Sequence, residues 1–215
     1  MSKEKNPAQI LRKDGKNCFV ESLCDSFEID KMHLCFVNYD TGAEKGSRQT
    51  AKIDIYVDAP EWIAWTADIA LHYTEKQLAK AKAETSYEPV LQTMGGVSAD
   101  LLKKRGQERS DGKSLSRIMT VGWGQKVPVL MMAKSGPGEQ DAKGLIVPKF
   151  GKNPEHQVMI PLSYKDFAEL FLMTKAHYEA YLVYRYAKEK PFQRKDKDDQ
   201  GNKEPQTKKS AATYY

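Results

Sequence analysis

Six cations crowd the 15 residues from 103 to 117: Lys103, Lys104, Arg105, Arg109, Lys113 and Arg117. Guanidinium and ammonium groups at this density suit a polyanion, because each can neutralise a phosphate and release a counterion. A flat side chain follows at Trp123, with Lys126 close behind. If 117–123 is a strand, Arg117, Met119, Val121 and Trp123 share one face, since side chains alternate with a period of two. A phosphate and a base could then be held together, which is what a single strand of nucleic acid requires of its partner. The competing reading makes the cations a solvated loop and puts Trp123 in the core, where large aromatics are mostly found.

The remaining aromatics and histidines read differently. Trp62, Trp65, Phe167, Phe171 and Tyr181 recur at helical spacing and belong to packing faces. Phe36 and Tyr39 are stacking candidates on a strand whose pattern does not say which face is buried. Tyr56 stands between Asp54 and Asp58, whose charges repel phosphate, so it reads as a weak candidate. His72 and His177 read as packing or capping residues.

No catalytic constellation emerges. Gly106 to Ser114 imitates a phosphate-binding loop, but five residues separate its glycines where four are required, and no apolar strand precedes it. Gly136-Pro137-Gly138 follows a strand but opens no helix, so it does not make a dinucleotide site. Cys24, His33 and Cys35 lack a fourth ligand and the spacing of a zinc site. Asp141-Ala142-Lys143 has the acid-x-Lys form of some metal-dependent nucleases, without a partner acid on a matched strand. The expectation is therefore a protein with no catalytic residues, metal or cofactor.

The chain has 215 residues, 34 Lys+Arg against 29 Asp+Glu, and a net charge of +5. That excess is localised. Residues 101–134 carry eight basic and two acidic residues, and 188–209 eight and five, which leaves the rest slightly acidic. No apolar run is long enough to span a bilayer, and the polar N-terminus has no secretory core, so no membrane association is expected. Three cysteines without paired spacing suit a reducing cytoplasm.

Three strands are predicted first, at 18–24, 32–39 and 51–57, and a fourth could hide at 41–50. The third alternates Ile53, Ile55 and Val57 against Asp54, Tyr56 and Asp58. Asp58-Ala59-Pro60-Glu61 is a helix start, with Asp58 as N-cap, and the helix is predicted to run to about Ala83. After a polar connection at 85–116, strands return at 117–123, 129–134, 144–150 and 157–162. Ser163 and Asp166 form a second capping box, and a stripe through Phe167, Leu170, Phe171, Thr174 and Tyr178 carries the helix towards Lys190-Pro191.

A 105-residue shift lays 52–73 over 157–178. Identities are few, but roles coincide: inward strand residues Ile53/Val158 and Val57/Leu162, caps Asp58/Ser163 and Glu61/Asp166, aromatic anchors Trp62/Phe167. The fold class read from this is α+β, two consecutive antiparallel β-meander plus helix units. The halves are 16–84 and 117–190, joined by a basic loop at 85–116 within one domain. A flexible N-terminus at 1–15 and a disordered, charged tail at 191–215 flank it.

This plan resembles the Whirly family and the related positive-cofactor-four type proteins, over about residues 16–188. The resemblance rests on element order and the internal echo. The lysine-glycine-lysine-alanine motif of plant Whirly proteins is missing; the nearest string, Glu44-Lys45-Gly46-Ser47-Arg48, is no substitute, so no family site residue carries over. Residues 136–148, with the strand and helix start around Ile160, Tyr164 and Phe167, also resemble small proteins of conjugative elements in Gram-positive bacteria. The resemblances imply non-catalytic binding of single-stranded DNA, or RNA, by a self-associating protein. The alternative is a protein-interaction module of a mobile element or phage, whose basic loop docks an acidic partner.

Overall fold

The computed structural model describes residues 6–44 and 46–189. The expected tail at 191–215 lies outside the described residues. The first sheet is a meander of β1 (Gln9–Asp14), β2 (Cys18–Leu23), β3 (Lys31–Tyr39) and β4 (Gln49–Asp58), paired antiparallel in that order. A 3-10 turn at Phe27–Ile29 links β2 to β3. Two helices follow, α1 (Ala59–Ala70) and α2 (Tyr73–Ala83). The second sheet contains β5 (Leu91–Val97), β6 (Ser114–Gly122), β7 (Val129–Gln140), β8 (Ile146–Pro148) and β9 (His156–Leu162), with a short helix α3 (Ala99–Lys104) between β5 and β6. On one edge of β7 lies β6; on the other, β9 and β8 pair with different lengths of the strand. The 26-residue helix α4 (Tyr164–Glu189) ends the described chain. The fold is α+β: two antiparallel sheets, the first followed by α1 and α2 and the second by α4. No helix among the described residues is long and apolar enough to cross a membrane.

One core joins both sheets and the helices. Met32, Leu34, Phe36, Ile53 and Ile55 of the first sheet meet Met119, Val121, Met131 and Ile160 of the second. Trp62 of α1 and Phe171 of α4 stack with ring centroids 4.2 Å apart and planes at 7°. The Trp62 Nε1 also donates to the Phe171 carbonyl at 3.2 Å, which satisfies the one polar atom the indole brings into the core. The echo at 52–73 and 157–178 is thus the pair of strand-to-helix corners whose helices pack on each other. Phe36, expected as a stacking candidate, is fully buried.

Five expectations are corrected. The segment 1–15 holds β1, tied down by the Lys13 ammonium, which donates to Asp166 and Glu169 on α4. β1 is also the fourth strand of the first sheet, in place of 41–50. The connection at 85–116 holds β5 and α3 as well as loop. The first helix is two helices: His72 takes φ 60°, and its ring Nδ1 pairs with Glu75 at 2.8 Å where α2 starts. Of the two matched caps, Ser163 Oγ accepts from the Asp166 N–H at 3.0 Å. Asp58 makes no such bond, because its carboxylate accepts from Lys31, its cross-strand partner. Ser163→Ala is accordingly expected to cost about 1 kcal/mol, read as a lower urea midpoint at unchanged m-value.

At one end of the second sheet, β8 folds over the face carrying Ser114 and Ser116. Gly138 leaves no room there: a Cβ would come within 2.8 Å of both Ile146 and Ser116. This fold-over seats the 144–146 turn beside β5, which shapes the cleft described next.

Candidate functional site

β4 is an edge of the first sheet and β5 an edge of the second. Between them runs a cleft of about 770 Å³, walled by β4 at 54–58, by β5 at 93–97, and by Arg117 of β6. Arg105, at the end of α3, and Leu145, in the turn before β8, also line it. Neither Arg105 nor Arg117 makes a salt bridge among the described residues, so two guanidinium groups face the cleft uncommitted to a carboxylate.

Opposite them stands Tyr56, 41 % exposed. Its ring stacks on the buried His33, with centroids 4.4 Å apart and planes at 21°. His33 lies in turn between two carboxylates, Nδ1 at 2.8 Å from Asp25 and Nε2 at 3.0 Å from Asp54. Ionised carboxylates only accept, so keeping both hydrogen bonds takes a proton on each ring nitrogen, that is, the imidazolium form. Burial alone would lower the His33 pKa, but the hydrogen bonds to Asp54 and Asp25 outweigh it and hold it above the ordinary value. Burial likewise pushes Asp54 up, and the His33 hydrogen bond and Lys52 overcome this, leaving it at about 2. The Tyr56 hydroxyl is raised by burial and by the charges of Asp54 and Asp25, against a lowering influence from Arg117.

The cations read from the sequence separate into groups. Arg105 and Arg117 meet in the cleft, and Lys103 and Lys104 are exposed on the last turn of α3 beside Arg105. Arg109 is held elsewhere: its guanidinium lies 2.8 Å from Asp111 and 2.6 Å from Glu155, with the side chain only 15 % exposed. These partners raise the Arg109 pKa further, while Asp111 is held at about 2 by the Arg109 hydrogen bond. Lys113 is exposed in the following loop, where its backbone N–H donates to Asp111.

No family model, curated protein or solved structure matches the chain. The site therefore stands on its own geometry.

The expected surface pairing Arg117 with Trp123 does not form. β6 ends at Gly122, before Trp123, and Met119 and Val121 between the two residues are fully buried in the core. Six positions of extended chain also separate them by about 20 Å. Trp123 is half-buried at the far end, where its Nε1 donates to the Ser86 carbonyl at 2.5 Å and its ring lies 5.5 Å from that of Tyr87. Lys126 is exposed in the β6–β7 turn. Tyr39 is half-buried near Phe19, 6.1 Å between centroids.

Tyr56 is the residue that sequence reasoning passed over, since Asp54 and Asp58 flank it. Both charges are matched in the fold: Asp54 by His33 and by Lys52 at 3.2 Å, Asp58 by Lys31. The β3–β4 register sets Lys31 opposite Asp58 and His33 opposite Tyr56. The Lys52-x-Asp54 spacing was the one signal of this in the sequence. Cys24, His33 and Cys35 form no common site: Cys24 is exposed, Cys35 is buried with its thiol pushed up to about 12, and His33 turns to the carboxylates.

Proposed function

We propose that this chain is a non-catalytic single-stranded nucleic-acid-binding protein, for DNA before RNA, with little sequence preference. The observation that carries the proposal is the pair of guanidinium groups with no carboxylate partner among the described residues, Arg105 and Arg117, lining one cleft with the pre-stacked ring of Tyr56. Guanidinium groups take phosphate, and an exposed aromatic takes any base, since every base has a flat face. A duplex hides those faces, so this arrangement favours single strands. Lys103 and Lys104 would extend the positive track outside the cleft. The resemblance in element order to Whirly-type proteins supports the same reading. Self-association in a reducing, cytoplasmic setting belongs to the proposal, with large apolar side chains exposed on α4 (Val183 at 71 %, Tyr184 at 64 %) and three free thiols in support.

Anisotropy titrations with labelled oligothymidine, a matched duplex and an RNA strand, at several salt concentrations, test it. Oligothymidine is expected to bind more tightly than duplex, with affinity falling as salt rises. Equal duplex affinity would remove the single-strand element, and no binding at low salt would remove the function. In the latter case the exposed face of α4 favours the protein-docking reading.

Arg109 provides an internal contrast. Because Asp111 and Glu155 already hold its charge, Arg109→Ala is expected to leave oligothymidine affinity within about twofold of wild type. It should lower Tm by about 2–4 °C through loss of the tie between the 109–111 loop and the start of β9. Parallel titration and thermal melting check both parts.

A further inference from the structure

We propose that His33 is a positioning residue of the cleft: clamped between Asp25 and Asp54 beneath Tyr56, its imidazolium fixes the stacking ring and, with Lys52 on Asp54, offsets two carboxylates that would repel phosphate. The proposal rests on the nucleic-acid reading of the cleft and adds to it a residue that does not itself line the cleft.

The geometry divides the work. His33 is 4 % exposed, whereas Tyr56, Asp25 and Asp54 all line the cleft. A tyrosine stacked on one face by a buried ring has one face left for a base, and its own rotamer is already fixed. An imidazolium donating from both nitrogens locks the ring plane that Tyr56 lies on. Neutral imidazole has one N–H and can serve one of the two carboxylates; the other loses its hydrogen bond to the ring, and Lys52 stands only beside Asp54.

The surrounding charges do not replace that proton. From β4, Lys52 reaches Asp54 but not Asp25 among the described contacts. Lys31, on the same strand as His33, pairs with Asp58. From β2, Glu21 adds an acidic group whose pKa is raised first by burial, with Arg12 of β1 lowering it. Cys35, next on the same face of β3, is uncharged at neutral pH, its thiol pushed up by burial and by Asp54. Arg117 faces from β6 across the cleft and acts on Tyr56. Losing the His33 proton therefore makes the cleft more negative by one charge, next to where a phosphate would lie.

The sign follows. With its pKa raised in the fold, His33 is fully charged at pH 5.5 and loses its proton as pH rises through that raised value. Oligothymidine affinity should fall as pH rises through that value, about five- to tenfold from one side of it to the other at low salt, with a smaller step at high salt. Phosphodiesters do not titrate there, so the step belongs to the protein.

The experiment is the oligothymidine titration of the full chain at pH 5.5 to 8.5, for wild type, His33→Gln and Asp25→Asn. The expected result is a falling affinity for wild type, and for His33→Gln a flat profile at or below the weak, high-pH affinity. Asp25→Asn removes one carboxylate, so its step should move to lower pH and its high-pH affinity should exceed that of wild type. Identical pH profiles for wild type and His33→Gln would overturn the role of His33 while leaving the cleft reading intact. Absence of wild-type binding at every pH would overturn both. If His33→Gln does not fold, as judged by its melting curve, Asp25→Asn decides: a step shifted to lower pH supports the proposal, and an unshifted one overturns it.

Discussion

The Arg105→Ala, Arg117→Ala double variant is expected to bind oligothymidine about 100-fold more weakly than wild type at low salt. Each guanidinium–phosphate contact is charge-assisted, and losing one such hydrogen-bonded contact costs roughly 1.5–3 kcal/mol, or about tenfold or more. The salt dependence gives a second, sharper number. Each phosphate neutralised on a single strand contributes about −0.7 to the slope of log affinity against log salt, so removing two should flatten it by about 1.4. Arg105 is exposed at the end of α3, and Arg117 makes no ion pair among the described residues, so the substitutions should leave the fold intact. A double variant with wild-type affinity and slope would mean that the strand does not pass between these residues.

The largest effect on stability is expected in the shared core. Trp62→Ala should cost about 3–5 kcal/mol, seen as a lower urea midpoint by far-UV circular dichroism. Trp62 is fully buried, stacks on Phe171 and donates to its carbonyl. The substitution therefore opens a cavity and removes an aromatic pair at the point where α1 meets α4. Domains of this size are stable by only about 5–15 kcal/mol, so the loss is a large fraction of the whole. Trp62→Phe keeps the ring contact and should recover most of it. A cost below about 1 kcal/mol for Trp62→Ala would mean that the helix pair contributes little to the shared core.

The corners of the fold were legible because local signals agreed there. Ile53, Ile55 and Val57 alternate, Trp62 and Ile69 follow at helical spacing, and the same sequence of roles returns from Val158 to Phe171. β1 was not legible: Gln9-Ile10-Leu11-Arg12-Lys13-Asp14 offers two aliphatic residues, and what holds it is pairing with β2 and the reach of Lys13 to α4. β5 was hidden by Gly95-Gly96, residues that weaken a strand signal, although here they lie along the cleft wall.

The site was legible as a set of cations and not as a place. Which cation is free depends on partners remote in sequence: Glu155, 46 residues from Arg109, takes that guanidinium out of play. Trp123 was expected on one strand face with Arg117, yet β6 ends before it and two core residues stand between them. Tyr56 was set aside for its acidic neighbours because nothing in one strand tells which residues of the next strand will face it. The register that brings His33 and Lys31 across from β3 reverses that conclusion.

Photo-crosslinking with oligothymidine carrying 4-thiothymidine, followed by peptide mapping, tests the central claim most directly, since it reports both that a strand binds and where. The predicted result is crosslinking centred on Tyr56 and on the peptides containing Arg105 and Arg117, competed by unlabelled single strands more than by duplex. Crosslinks confined to the Trp123–Lys126 end of the second sheet, or none at low salt, would contradict it.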